Sequence, residues 1–180
     1  MRRRLTWILA LALVLVVGGA AALVVTAKPT LDDDRNAVDA AWAPLRTPLA
    51  VRYELLEAAR SAFVAAAGER SVTRDLAGRL AEWKQALHDG DAGTQAALAN
   101  DLEGQGTRLR ANMLGSPRLA AIGDLTGAIA SFDGSVPPPA LVRAYNRAVR
   151  KYADDRDGSL RKPVARVLGF DARPVLLIGS

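Results

Sequence analysis

"RAYNRAVRKYADDRDGSLRKPVARVLGFDARP", residues 143–174, joins a regular stretch of sequence to an irregular one. Read with Leu141 just upstream, its first half repeats apolar residues at Leu141, Tyr145, Ala148 and Tyr152. Those spacings of three and four put them on one face of a helix. The pattern fades near Asp157-Gly158, and no period follows it. Immediately before the helix, "DGSVPPP" (residues 133–139) breaks the chain. Three consecutive prolines favour a short polyproline II piece, and the last is pre-set for the first turn of a helix. This end of the chain therefore reads as a helix followed by an irregular tail.

The same spacing recurs upstream. Trp42, Leu45, Leu49, Leu56, Ala59 and Phe63 form one stripe, interrupted by Arg52. Pro44 and Pro48 predict a kinked or late start, and Gly68-Glu69-Arg70 an end. Ser71 is placed to cap a second helix carrying Leu76, Leu80, Trp83 and Leu87, with "HDGDAG" (residues 88–93) as the loop after it. A third stripe runs from about Thr94 through Leu98, Leu102, Leu109 and Met113, where Gly104 and Gly106 each cost about 1 kcal/mol relative to alanine. Ser116-Pro117 starts another helix through Leu119, Ile122, Leu125, Ile129 and Phe132. No stretch alternates with period two. The predicted fold is all-α, an antiparallel four-helix bundle that buries one apolar stripe per helix.

The other end reads differently. Arg2, Arg3 and Arg4 precede an uncharged run from Leu5 to Ala27, and Asp32-Asp33-Asp34 follow it. From Trp7 the run is long enough for a helix of roughly 32 Å, against a hydrocarbon core of about 30 Å. Basic residues on one side and an interfacial tryptophan give an N-in orientation. The predicted divisions are a cytoplasmic basic N-terminus (residues 1–6), a transmembrane helix (7–27), an acidic juxtamembrane spacer (28–35), and an extracytoplasmic bundle with an irregular tail (36–180). That expectation puts the protein in the cell membrane as a single-pass protein. The alternative is a cleaved signal peptide, with small-residue sites at Ala20-Ala21-Ala22 and Val25-Thr26-Ala27.

Composition limits the chemistry. The chain has no cysteine, which removes disulfides, thiol nucleophiles and cysteine-bound zinc. Its net charge is +5, of which Arg2–Arg4 supply three, leaving about +2 in mixed sign. That does not make a nucleic-acid footprint, and no nucleic-acid partner is expected. His88 is the single histidine, so neither a His-His metal pair nor a Ser-His-Asp triad follows from it; at a helix end it reads as solvated. Asp32–Asp34 read as a solvated spacer. "DRDG" (residues 155–158) is a fragment of a calcium-loop pattern without its closing bidentate acid. No nucleotide, zincin or hydrolase motif occurs. Neither catalysis nor a cofactor or metal is expected.

The stretch at 143–174 resembles the LemA family, small bacterial proteins with one N-terminal membrane helix and an antiparallel helical-bundle domain. Tyr145, Asn146, Ala148, Val149 and Tyr152 match the family's Y-N-x-A-V-x-x-Y helix, and Gly169, Phe170 and Pro174 its closing segment. Asn36, Val38, Asp39, Trp42 and Leu49 are similar to its first helix, and Pro117 and Leu119 match a later P-x-L. The chain departs from the family at Glu54–Arg60, at Val136–Pro139 and at Ser159-Leu160. The resemblance implies a divergent member and no known catalysis. Tyr145, Asn146, Tyr152, Gly169, Phe170 and Pro174 form the implied family motif. The two tyrosines, seven apart, read as core residues, Gly169 as a stop and Phe170 as a plug at the bundle end. Asn146 lies at the boundary, facing either the incoming segment or a partner.

The expected function is a non-enzymatic membrane protein. It touches the bilayer through residues 7–27, and its bundle is a scaffold or interaction module for a membrane or envelope protein. The alternative is a sensing domain whose bundle cavity takes an apolar or anionic small molecule.

Overall fold

A computed structural model describes residues 24–159 and 161–178. It is all-helical, with no strand among the described residues. The first helix, α1, covers residues 24–42 and passes through a 3-10 turn at Ala43–Leu45 into α2 (Arg46–Ala67). Pro44 lies in that turn and Pro48 in the first turn of α2, where a missing N–H costs no interior hydrogen bond. The prolines therefore tighten the helix at one turn and do not end it. One buried stripe runs through both helices: Ala27, Leu31, Asp34, Val38, Trp42, Leu45, Leu49, Arg52, Tyr53, Leu56, Ala59 and Phe63.

The remaining elements are α3 (Ser71–Asp89), α4 (Ala92–Leu114), α5 (Pro117–Ala120), α6 (Gly123–Gly134), α7 (Pro139–Asp157) and α8 (Lys162–Val167). An irregular stretch over residues 170–178 follows, ending in a turn at Ile178. Helix α2 packs on α6 and α3, α3 on α4, and α5 on both α4 and α6. Gly106 lets α4 approach α6: a Cβ there would lie 2.7 Å from the Phe132 ring. At one end α7 meets the 3-10 turn, where Trp42 and Tyr145 cross edge to face with ring centroids 4.9 Å apart.

The membrane expectation is corrected. No helix among the described residues is long and apolar enough to cross a membrane. Of the expected span at 7–27, residues 7–23 lie outside the described residues, as does the basic N-terminus at 1–6. Residues 24–27 already belong to α1, and Ala27 is buried in the protein. The stretch read as an acidic spacer is helical, with Leu31 fully buried and Asp34 buried beside Lys151. The physical reason is register. Ala27, Leu31, Asp34 and Val38 continue the core stripe toward the N-terminus, so this face is used by protein packing.

Smaller differences have similar causes. Helix α3 is capped at Arg70, not Ser71: the Arg70 amide donates to Thr73 Oγ1 (2.9 Å). The loop expected at residues 88–93 shrinks to Gly90-Asp91, because Asp91 caps α4 by accepting the Thr94 amide (2.8 Å). Residues 117–132 form two helices, with Ile122 extended between them, so that α5 lies on α4 while α6 turns onto α2.

Candidate functional site

Residues 170–178 make no regular element, yet their backbone groups are systematically met by side chains. Tyr152 Oη donates to the Asp171 carbonyl (2.9 Å), and Tyr145 Oη donates to the Pro174 carbonyl (2.9 Å), the one hydrogen-bonding group a proline backbone has. Asn146 donates from Nδ2 to the Leu176 carbonyl (2.9 Å) and accepts the Leu176 amide at Oδ1 (2.7 Å). Asn100 repeats the device one residue out of step, donating to the Val175 carbonyl (2.8 Å) and accepting the Leu177 amide (2.9 Å). A primary amide carries one donor face and one acceptor face, so each asparagine pairs with extended backbone as a neighbouring strand does. One asparagine comes from α4 and the other from α7, and the segment ties those helices together.

The side chains of the segment alternate in fate. Phe170, Arg173, Leu176 and Ile178 are buried, whereas Asp171, Ala172 and Leu177 are exposed. Arg173 is 9% exposed and sits between two acids, its Nη1 being 3.0 Å from Asp91 Oδ1 and 3.5 Å from Asp39 Oδ1. It crosses α4 over Gly93, where a Cβ would lie 2.6 Å from Arg173 Cδ. Partial burial opposes the charge on Asp91, but the Thr94 amide and the Arg173 guanidinium outweigh it and hold that carboxyl below its ordinary value. Burial pushes the Tyr145 and Tyr152 phenols upward, so both remain donors in neutral solution.

Behind this groove, Trp42 Nε1 donates to the fully buried Gln95 Oε1, and Gln95 Nε2 donates to the carbonyls of Ala86 (2.7 Å) and Gly90 (2.8 Å). Every polar atom of that glutamine is used, which fixes α1 against the start of α4. The segment enters through a helix-ending turn. Gly169 has φ of 72°, and the Phe170 amide donates back to the Ala165 carbonyl (2.9 Å). That six-to-one bond, with glycine in the left-handed region, ends α8 and redirects the chain into the groove.

All of the sequence-marked residues Tyr145, Asn146, Tyr152, Gly169, Phe170 and Pro174 thus belong to one locus. His88 is exposed near the end of α3. Asp155 pairs with Lys151 and Arg161, and Asp157 with Arg156. Sequence reading missed Asn100, Arg173, Gln95, Asp39 and Asp91 as parts of the site. Asn100 has no distinguishing signal. Gln95 could have been found as a polar residue on the buried face of α4, where Ala92, Ala96 and Ala99 take the place expected for Leu98.

A separate open cleft of about 750 Å³ lies between α3 and α4, with Glu82, Asp89, Asp91 and Asp101 around Ala97 and Leu98. Comparison with family models, with curated proteins and with solved structures returns no match.

Proposed function

We propose that this chain is a non-catalytic, LemA-like antiparallel four-helix bundle that serves as a protein-interaction module. Its recognition surface is the groove across α4 and α7. The observation that carries this reading is the pair of asparagines bracketing residues 175–177 from two different helices. Groups that hydrogen-bond to both sides of an extended backbone read shape and strand direction, which is how an extended peptide is held by a protein surface. The buried positions between them add side-chain selectivity: an arginine set between Asp39 and Asp91, and apolar anchors at the places of Leu176 and Ile178.

The test is site-specific photocrosslinking in intact cells that produce the chain. A photoreactive residue in place of exposed Arg150, one turn after Asn146 on α7, is expected to give a discrete intermolecular product. The same residue at exposed Leu114, on the far end of α4, is expected to give none. Identical patterns from both positions, or no product from Arg150, would remove the groove as the recognition surface.

The cleft between α3 and α4 favours a second reading, a small-ligand site. Its volume falls in the usual range for such sites, and its acidic rim suits a cation with an apolar body, not the apolar or anionic ligand expected from sequence, although that cation must compete with Arg79 for Glu82 and Asp101 and with Arg173 for Asp91. A polyamine such as spermidine should then raise the melting temperature in a salt-dependent way. An unchanged melting temperature at millimolar spermidine removes that reading.

A further inference from the structure

The groove is filled by the chain's own residues, and the manner of filling points to a partner. Resting on the reading of the groove as a receptor for extended chain, we infer that its trans occupant is residues 170–178 of a second copy, giving a reciprocally exchanged dimer.

Apart from the Phe170 amide's bond back to the Ala165 carbonyl, which belongs to the turn, the contacts that hold the segment are made with the groove and do not depend on how the segment is connected. Six hydrogen bonds come from Tyr145, Tyr152, Asn100 and Asn146, and the buried anchors are Phe170, Arg173, Leu176 and Ile178. A second copy reproduces every one of them, including the arginine between Asp39 and Asp91. An unrelated peptide would have to match that arginine and the apolar anchors at the same spacing. Exchange of an identical element between protomers conserves the contact set, so the balance is decided by the connection and by concentration.

The connection is slight. Helix α8 has six residues, with Val167 83% exposed. An open cleft of about 410 Å³ lies between the end of α7 and α8, lined by Arg156, Lys162 and Arg166 together with Phe170. The segment is then turned into the groove at a single residue, Gly169, whose φ of 72° suits glycine and few others. A change at that one turn re-aims the segment outward while α8 and the groove stay as they are, which is how a hinge works. Exposed Val167 and Leu177, on either side of the docked stretch, supply apolar surface for the second copy to cover.

The absence of cysteine makes the experiment clean. Two full-length variants, Gly104→Cys (exposed, one turn past Asn100 on α4, where an added side chain meets nothing within 4 Å) and Leu177→Cys, are mixed at high micromolar concentration, equilibrated and treated with a short bismaleimide. A third, carrying both cysteines, reports closure within one chain. Exchange predicts a crosslinked heterodimer of the two single variants, growing with concentration and with equilibration time. Gly169→Ala, added to both partners, penalises the closed turn about fivefold at each of the two turns a dimer opens, and should raise the heterodimer yield about twenty-five-fold before saturation. Efficient crosslinking within the double variant, with no heterodimer in the mixture, overturns exchange. So does a heterodimer that Gly169→Ala leaves unchanged, which would mean association through another surface. A foreign protein trapped from Arg150 in cells, with no self-crosslink, overturns exchange while leaving the interaction-module reading in place.

Discussion

Two buried arginines tie this fold together, and they are held in different ways. Arg52, on α2, has its guanidinium fully engaged: Nε and Nη2 donate to Glu103 on α4 at 2.7 Å each, and Nη1 donates to the Phe132 carbonyl at 2.7 Å and to Ser135 Oγ at 3.3 Å. It also lies 4.0 Å over the Phe132 ring, joining α2, α4 and α6. Tyr53 completes the cluster, donating to the Ala99 carbonyl (3.0 Å) and Glu103 (3.2 Å) while its ring meets Trp83 edge to face. Arg173, in the extended segment, sits between two half-exposed carboxylates, and its buried Nη1 makes charge contacts without a directed hydrogen bond. A planar fork bonded through all three of its nitrogens locks three helices into one geometry. A charge shared between two half-exposed acids without a directed bond holds its segment with less geometric demand. On the proposed reading, the first arrangement belongs to a permanent core and the second to a segment that can be released.

The largest test of that contrast is Arg52→Ala. It leaves Glu103 paired only with Tyr53, while the Phe132 carbonyl keeps the Ser135 hydroxyl and amide, and should cost roughly 3–5 kcal/mol, mostly through the stranded carboxylate. Against a total of about 5–15 kcal/mol, most of the protein should be near unfolding, as read by denaturant titration of the helical signal. Arg173→Ala should cost less, about 1.5–3 kcal/mol, because Asp39 and Asp91 can return to water. It should also expose residues 170–178 to limited proteolysis while the helical signal persists. If Arg173→Ala unfolds the helices as Arg52→Ala does, the two arginines are equivalent and the contrast fails.

The same difference explains what was legible in the sequence. Helices are a local, periodic property, so α2, α3, α4 and α7 could be read from apolar spacing, and Pro139 as the start of α7 from its ring geometry. Arg52 was visible only as an interruption of a stripe. Its role depends on Glu103, Phe132 and Ser135, which are brought to it by tertiary packing. The extended segment was legible as irregular, and Asn146 as a residue facing something, but not Leu176 as the residue it faces. Its partner asparagine on α4 was invisible, because extended chain held by side chains leaves no period in either sequence. The start of α1 was misread for the opposite reason. An apolar run followed by aspartates has the composition of a membrane boundary, and only the buried register of Ala27, Leu31 and Asp34 shows that the core continues through it.

A smaller effect separates the asparagines from the arginines. Asn146→Ala should lower the stability of the docked segment by about 1 kcal/mol, and Asn100→Ala by a similar amount. Both should leave the core's denaturant midpoint nearly unchanged; an equal shift in core and segment would join the two regions into one cooperative unit. The smallest effect is in acid. Asp91's carboxyl is held below its ordinary value, so its contribution is present above about pH 4 and fades as pH falls through the lower folded value. Protease sensitivity of residues 170–178 should rise over that window, and the rise should be weaker in Arg173→Ala, which lacks the cation responsible for part of the shift. A rise of the same size in that variant would show that Asp91 does not hold the segment.

Amide hydrogen exchange under native conditions tests the central claim most directly. The amides of Leu176 and Leu177 donate to asparagine side chains, whereas those in the middle of α2 donate within a packed helix. A releasable segment predicts that Leu176 and Leu177 exchange through a local opening, with a free energy clearly below that of α2 and nearly independent of low denaturant concentrations. Protection of Leu176 and Leu177 equal to that of α2, with the same denaturant dependence, would show that the segment is part of the permanent core and contradict the account.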